Sequence, residues 1–516
     1  MTSERTVRSG WDPVKPTDSQ LASANLWKAA AVGVFVAALS AAWYLPFPFR
    51  TLMGDDLYLD YGAHTGGYAS GFLVAFTQTI GGKFRPVVTP VFYLATHLFG
   101  GDYGGYRYFN LVLQILCVGL FGYLIWRLTL GRWLITVGAM MAATISRDNA
   151  FAVLQVVGLI ESVALAFVLL TVIAAERAYR QQKFVWLVGA NGAFLLAEFS
   201  HERFIVLCPF LILATLLAPI RFRSLAVRIG AAMVPLGVAF LNYAVKTWVI
   251  HVNFFVGAGG QVEHFSMSQF LQFMKDGLQS IIGYNTGPAY LSGQDAASLG
   301  ATGLLVAACF VVPLAAVGLA AVGRDLIPTL RREPARARKY VIAVSLFLPV
   351  LASASISFRQ EFRWLYVPFL VLIMGASWAL AQLRPLKPFA LAATVVLFGG
   401  CLTVDVYYHQ YLSNTYFMSA EIIADAVHKD VIDDHRQTLS STTVFFVTSD
   451  PAFSQYNLAD GLMFAVYAPE ANMDVRYVDN IAAVCRSTST RARRLVYLVA
   501  FGGIVDVTAD TLRECT

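Results

Sequence analysis

Charge is what this chain has least of. Asp, Glu, Lys and Arg make up 14% of its 516 residues, against 57% hydrophobic residues, whereas a soluble globular chain is about one quarter charged. That scarcity, with a mean hydropathy of +0.60, excludes an ordinary soluble protein and leaves a polytopic membrane protein. Signature motifs are scarce as well. There is no Walker loop, GxSxG, CxxC or HExxH, which argues against an ATP-driven pump and a zinc protease. No tandem repeat or low-complexity tract is present. Only six cysteines occur: Cys117, Cys208, Cys309 and Cys401 lie in apolar runs and read as core thiols, while Cys485 and Cys515 share the C-terminal part. The net charge of +6 does not point to nucleic acid. Its basic residues sit in short clusters between apolar runs, the positive-inside pattern of membrane proteins.

Residues 1–23 are polar and read as a cytoplasmic tail. From Ala24 to Pro46 runs a first span, with roughly 20 residues needed to cross a bilayer; its length and polar lead predict an uncleaved signal anchor. Ten more apolar runs follow, at about 106–128, 133–147, 151–175, 184–200, 203–220, 227–250, 299–322, 340–357, 363–382 and 388–408. The expected architecture is therefore all-α, with about eleven transmembrane helices within 24–412. Connections bearing Arg127 and Arg132, Arg177 to Lys183, Arg221 to Arg228, Arg324 to Lys339, and Arg384 with Lys387 then all fall on the cytoplasmic side. The remaining connections face outside, including long loops at about 50–105 and 251–298.

In the second long loop Ser266, with Gln269 three positions on, predicts a helix cap. Phe270, Phe273, Met274, Leu278 and Ile281 then mark a helix lying on the membrane surface. Phe72, Phe76 and Ile80 give a weaker version of the same spacing in the first loop. Residues 413–516 differ: charge rises, and the short runs TTVFFVT and RRLVYLVAF read as buried strands of a small extracytoplasmic α/β domain. That setting permits a bridge between Cys485 and Cys515.

The residues that ask for a chemical role lie outside the spans. Asp55 and Asp56 stand side by side just after the first span, followed by Asp60 and His64 and then by Lys83 and Arg85. Adjacent carboxylates at a membrane face are costly to place. Asp55 reads as a general base or a helix-capping acid, and Asp56 as its helper. Lys83 and Arg85 are placed to bind phosphate or lipid headgroups. Glu198, His201, Glu202 and Arg203 crowd one outer turn, either completing a binding site or forming an internal ion pair between Glu202 and Arg203 or their neighbours. Arg359, Glu361 and Arg363 repeat the theme before the tenth span, and Arg359 and Arg363, if helical, lie on one face and could grip a phosphate together. Glu161, several turns into a span, is either a neutral structural acid or part of an aqueous pocket. His64, His251 and His264 are scattered outer histidines. A divalent cation, Mg or Mn, if one takes part, would use Asp55 or Asp56 with a phosphate.

The first span, an outer loop with the acid pair Gly54-Asp55-Asp56, then Phe84-Arg85-Pro86, an apolar run, Leu98-Phe99-Gly100, the aromatic pair before Asn110 and a long apolar span resemble the GT-C superfamily of polyprenyl-phosphate-sugar-dependent glycosyltransferases. Within it they resemble the protein O-mannosyltransferase-like and related bacterial branches. The likeness covers about Trp27 to Leu130. It implies a catalytic acid in the first outer loop, at Asp55 or Asp56, and a polyprenyl-phosphate sugar donor. It implies an acceptor that is a glycan, glycolipid or protein, in a bacterial plasma membrane with the site facing out. Arg203, Arg359 and Arg363, with Lys83 and Arg85, would hold the donor phosphate, and His201, Glu202, Glu161 and Glu361 would line the pocket. Other readings are a lipid-linked oligosaccharide flippase, although no related halves are visible, and a membrane scaffold without catalysis.

Overall fold

A segment that leaves water must pair its own backbone groups, so each apolar run becomes a helix. The computed structural model describes residues 26–65, 73–80, 83–252, 254, 266–288, 300–332, 338–356, 360–383, 387–412, 416–471, 473–487, 493–500 and 503–515. The N-terminal tail, Phe72, His264 and Arg359 lie outside those residues. Helices α1 (Leu26–Tyr44), α2 (Asp55–Thr65), α3 (Thr89–Phe99) and α4 (Tyr103–Leu128) come first, followed by α5 (Trp133–Ile145), α6 (Ala150–Leu154), α7 (Gly158–Gln181), α8 (Phe184–Ser200) and α9 (Cys208–Leu217). Then come α10 (Leu225–Ala244), α11 (Met267–Ile281), α12 (Ala301–Ala321), α13 (Ile327–Arg332), α14 (Arg338–Ser353), α15 (Phe362–Gln382) and α16 (Lys387–Leu412).

The eleven expected runs fall on helical segments, two of them broken, at 151–175 and at 203–220, where the 3-10 segment Glu202–Leu207 precedes α9; among the described residues seven stretches are long and apolar enough to cross a membrane. These are the stretches Trp27–Tyr44, Tyr103–Leu128, Gly158–Gln181, Leu225–Val249, Ala301–Leu330, Phe362–Gln382 and Pro388–His409, while α5 and α8 are shorter apolar helices. The run at 151–175 is not one helix. It breaks between α6 and α7, where a Cβ on Gly158 would stand 1.9 Å from the Ala152 carbonyl oxygen, so only glycine permits that approach. Glu161 consequently lies in the first turn of α7 rather than several turns deep.

Two ends of the bundle can be told apart by what meets there. At one end the basic connections tie together: Arg127 bonds Glu176 at 2.8 Å, and Lys339 bonds Asp325 at 2.5 Å. At the other the remaining connections converge. There Arg147 reaches Ser280 O at 2.6 Å and Asn285 O at 3.1 Å, and Gln360 reaches Phe273 O at 2.9 Å.

In the second long loop Ser266 caps α11 by accepting from the Gln269 amide at 3.4 Å. The weaker helix expected across Phe76 and Ile80 does not form. A short 3-10 turn, Val74–Phe76, leads into a hairpin of β1 (Thr79–Ile80) and β2 (Lys83–Phe84) with Ile80 opposite Lys83. The Gly81-Gly82 step between them in sequence is a hairpin signal that outweighs the helical spacing. Of the four thiols outside the tail, Cys309 is exposed rather than in the core, while Cys117, Cys208 and Cys401 are buried.

The tail holds α17 (Tyr416–Ala426), β3 (Thr442–Val447), α18 (Pro451–Asn457), α19 (Leu462–Tyr467), β4 (Asp474–Val478), α20 (Ile481–Arg486), β5 (Arg493–Ala500), β6 (Gly503–Asp506) and α21 (Thr508–Glu514). Its sheet runs β4-β3-β5-β6, with β3 parallel to both neighbours and β6 antiparallel at one edge. Every residue of β3 is buried, which is why its sequence reads as a continuous apolar run. Cys485 and Cys515 form a disulfide between the end of α20 and the end of α21, with Cα atoms 5.1 Å apart. The apolar core of the tail is continuous with the first long loop: Leu52, Met53 and Leu57 belong to one cluster with Ile423, Phe446, Met463 and Phe464.

Candidate functional site

Two features place the acid pair. Gly54 adopts φ +51°, a left-handed turn that glycine takes without strain. Asp55 and Asp56 then open α2, where the helix dipole favours negative charge. From that point the two acids diverge. Asp56 is 3% exposed, and its Oδ1 and Oδ2 accept from the Val157 amide at 2.8 Å and the Val156 amide at 3.1 Å. It therefore closes the break before α7, filling donors that a helix start leaves open. Burial pushes its carboxyl up to about 7, opposed by those two amides. Asp55 remains partly exposed, and the charges it faces include Lys83 and Arg363. Asp60, one turn further on, is buried and accepts from Tyr106 Oη at 2.8 Å.

Around Asp55 the cations come from four elements. Arg85, just after β2, sets a fork on Glu202, Nη2 to Oε1 at 2.7 Å and Nε to Oε2 at 3.2 Å. Lys246 adds a second cation to the same carboxylate at 3.4 Å. Arg203 pairs with Glu161 through Nη2, while His201 Nε2 stands 3.5 Å from the other oxygen. Arg363 pairs with Glu361, Nε to Oε2, at 2.6 Å. The turn of His201 to Arg203 thus makes no pair of its own: Glu202 turns to Arg85 and Arg203 turns to Glu161, joining separate elements instead.

These pairings decide the protonation of the site. Burial raises the carboxyl of Glu202, but the Arg85 guanidinium and Lys246 override it and hold that carboxyl well below its ordinary value. His201 is held well below its ordinary value by burial first, then by Arg85 and Arg203, and so is neutral. Lys83 is lowered by burial and by Arg85, with Asp55 opposing. Lys83 makes no ion pair among the described residues, and the buried Nη1 of Arg203 has no hydrogen-bond partner there. Lys83, within electrostatic reach of Asp55, and Arg203 Nη1, on the guanidinium that pairs with Glu161, are thus two positive donors without a partner among the described residues. Replacing a buried ion pair by apolar side chains is often neutral or stabilising, so three such pairs at one end are better explained by what they hold than by stability.

Helix α15 begins at Phe362, with Glu361 extended at φ −123°, ψ 148°; the grip expected of Arg359 and Arg363 falls, with Arg359, outside the described residues. His251 is exposed at φ +58°, and the side chain of His64 lies outside the described residues. Among the described residues no group of three or more His, Cys, Asp and Glu gathers to hold a metal ion. With Asp56 occupied by two amides, Asp55 is the member of the pair open to a cation.

Sequence reading passed over three residues. Lys246 was absorbed into an apolar run, where a lone lysine is itself a signal. Arg147 holds the second long loop, and its guanidinium lies 4.1 Å from the Tyr408 ring centroid. Glu421 of α17 accepts from the amides of Arg50 and Thr51, the latter at 2.9 Å. Tyr467 Oη accepts from Leu52 N at 2.9 Å, and Asn457 O accepts from Gly54 N at 2.8 Å. The tail thereby fixes the strand of chain that leads into Asp55.

No family model matches the chain, and no curated protein matches it. In structure it is similar to an oligosaccharyltransferase of Archaeoglobus fulgidus tethered with an acceptor peptide containing the NVT sequon, at 12% identity and TM-score 0.47 over 87% of this chain and 64% of that one. A second structure of that protein, in complex with Zn and sulfate, gives 13% identity and TM-score 0.44 over 86% and 62%. The chain spans less than two thirds of the length of those structures.

Proposed function

We propose that this protein is a membrane glycosyltransferase of GT-C type that moves a sugar from a polyprenyl-phosphate donor to an acceptor hydroxyl on the outer face of a bacterial plasma membrane. The observation that supports this reading is the setting of Asp55: a partly exposed carboxylate within electrostatic reach of Lys83 and Arg363, at the end of the bundle where three buried ion pairs gather. A base must reach the proton it takes, and positive charge must wait where the phosphate leaves. Asp55 and these cations supply a candidate for each.

In the proposed reaction Asp55 takes the proton of the acceptor hydroxyl as its oxygen forms a bond to the anomeric carbon. The bond from that carbon to the phosphate oxygen breaks, and its electron pair leaves on the polyprenyl phosphate. One displacement inverts the anomeric centre. Lys83 and Arg203 Nη1 receive the departing charge, with Arg85 and Arg363 adding to the local potential. Glu161, Glu202 and Glu361 hold their arginines in place, and neutral His201 packs the floor of that site. Asp56 shapes the site by joining α2 to the start of α7. A divalent cation, if the enzyme uses one, would find Asp55 and the donor phosphate as its ligands.

Transfer from a polyprenyl-phosphate sugar is measured in membranes holding wild-type, Asp55→Asn or Lys83→Gln protein at matched levels. Loss of transfer with Asp55→Asn and a raised donor KM with Lys83→Gln are expected; undiminished transfer by Asp55→Asn refutes the assignment of the base.

A further inference from the structure

Where the first outer loop meets the tail lies a cluster that the reaction above does not use. Tyr58, on α2 just after Asp55, and Tyr456, on α18, are 41% and 40% exposed. Tyr58 Oη donates to Asp460 Oδ2 at 3.0 Å, and Gln455 Nε2 donates to Oδ1 of the same carboxylate. The Tyr456 ring crosses directly over Gly54, with Cε1 3.3 Å from where a Cβ would stand, so the ring borders the residue that precedes Asp55. Tyr477 lies within electrostatic reach of Asp460 and Tyr58, and its buried hydroxyl has no hydrogen-bond partner among the described residues.

The backbone beneath this cluster is unusual. Ala459, Asp460 and Gly461 take φ of +50°, +54° and +91° in succession, and two of the three carry side chains that disfavour the left-handed region. Such conformations persist where the surroundings hold them, and they gather at ligand sites. Exposed hydrogen bonds return little stability, so the Asp460 contacts do not account for the turn.

We propose that this cluster is a carbohydrate-binding acceptor subsite. A sugar ring rests on the face of Tyr456 or Tyr58, and its hydroxyls bond Asp460, Gln455 and Tyr477, which brings one hydroxyl within reach of Asp55. The inference rests on the glycosyl-transfer reading and names its acceptor class. The side chains present favour a glycan over a peptide. Flat aromatic faces suit the C–H face of a pyranose, and a fixed carboxylate beside an amide suits neighbouring hydroxyls.

The test uses the full-length protein in lipid nanodiscs free of sugar detergents. Saturation-transfer NMR is run with linear hexasaccharides of glucose, mannose, galactose and N-acetylglucosamine, and with a Ser/Thr-rich decapeptide. At least one hexasaccharide is expected to show saturation at its ring protons, falling about fivefold or more in Tyr456→Ala and in the shape-preserving Asp460→Asn. The proposal is overturned if no sugar signal depends on Tyr456 and Asp460, or if only the peptide responds. Binding is read without turnover, so a protein that binds sugar through Tyr456 yet transfers none refutes the enzymatic reading alone. One that transfers sugar with an unchanged acceptor KM in Tyr456→Ala refutes the subsite alone.

Discussion

Arg85 holds Glu202 through two nitrogens, at 2.7 and 3.2 Å, across 117 positions of sequence. The contact pins the hairpin of the first long loop to the turn between α8 and α9. Since Lys246 shares the same carboxylate, its removal strands two buried cations. Glu202→Gln should therefore cost about 3–5 kcal/mol, read as a lower unfolding midpoint in detergent. An unchanged midpoint would show that water already reaches the pair.

The two neighbouring acids should separate under mutation. Asp55→Asn abolishes transfer and leaves stability nearly unchanged, because the carboxylate is partly exposed. Asp56→Ala strips the Val156 and Val157 amides of their acceptor, costing about 1–3 kcal/mol with residual transfer by the protein that folds. The reverse pattern, transfer lost with Asp56→Asn in fully stable protein and kept with Asp55→Asn, would exchange their roles.

Glu421 makes the hold of the tail on the first loop pH-dependent. Burial pushes its carboxyl up from 4.5 to about 8, opposed by the Arg50 and Thr51 amides. Because the folded value is the higher one, the folded protein binds more protons than the unfolded chain between those limits, and stability falls as pH rises through them. Melting temperature should decline from pH 5 to pH 8, and Glu421→Gln, which cannot ionise, should flatten that decline. An equal slope in both proteins would assign the dependence to other groups.

The Cys485–Cys515 bridge closes a 30-residue separation, worth roughly 3–4 kcal/mol in the chain-entropy account. Cys485→Ser or Cys515→Ser should make the tail cleavable by trypsin at protein concentrations where the wild type resists. Reduction of the wild type should have the same effect.

How much of this could be read from residues alone varied with the length scale of the interaction. The apolar runs located the helices because bilayer burial acts on windows of some twenty residues, and β3 was visible because a strand buried on both faces is apolar throughout, whereas β5, exposed at both ends and at Leu498, is buried only in part. The capping of α11 by Ser266 is likewise local. The break at Gly158 was not legible, since it depends on the approach of Ala152 and on the acceptor supplied by Asp56. The partners in the ion pairs were not legible for the same reason. Glu202 and Arg203 are neighbours in sequence, while their partners Arg85 and Glu161 come from different elements. Lys246 and Glu421 were passed over because their targets lie in segments whose placement no spacing rule gives.

The clamp of Glu421 on the Arg50 and Thr51 amides reaches across 371 and 370 positions. A ribosome adding about 5–20 residues per second delivers the second half of that contact on the order of tens of seconds after the first. The segment bearing Asp55 must therefore wait, inserted but unseated, for the last fifth of the polypeptide. Newly made copies would be silent until synthesis is nearly complete.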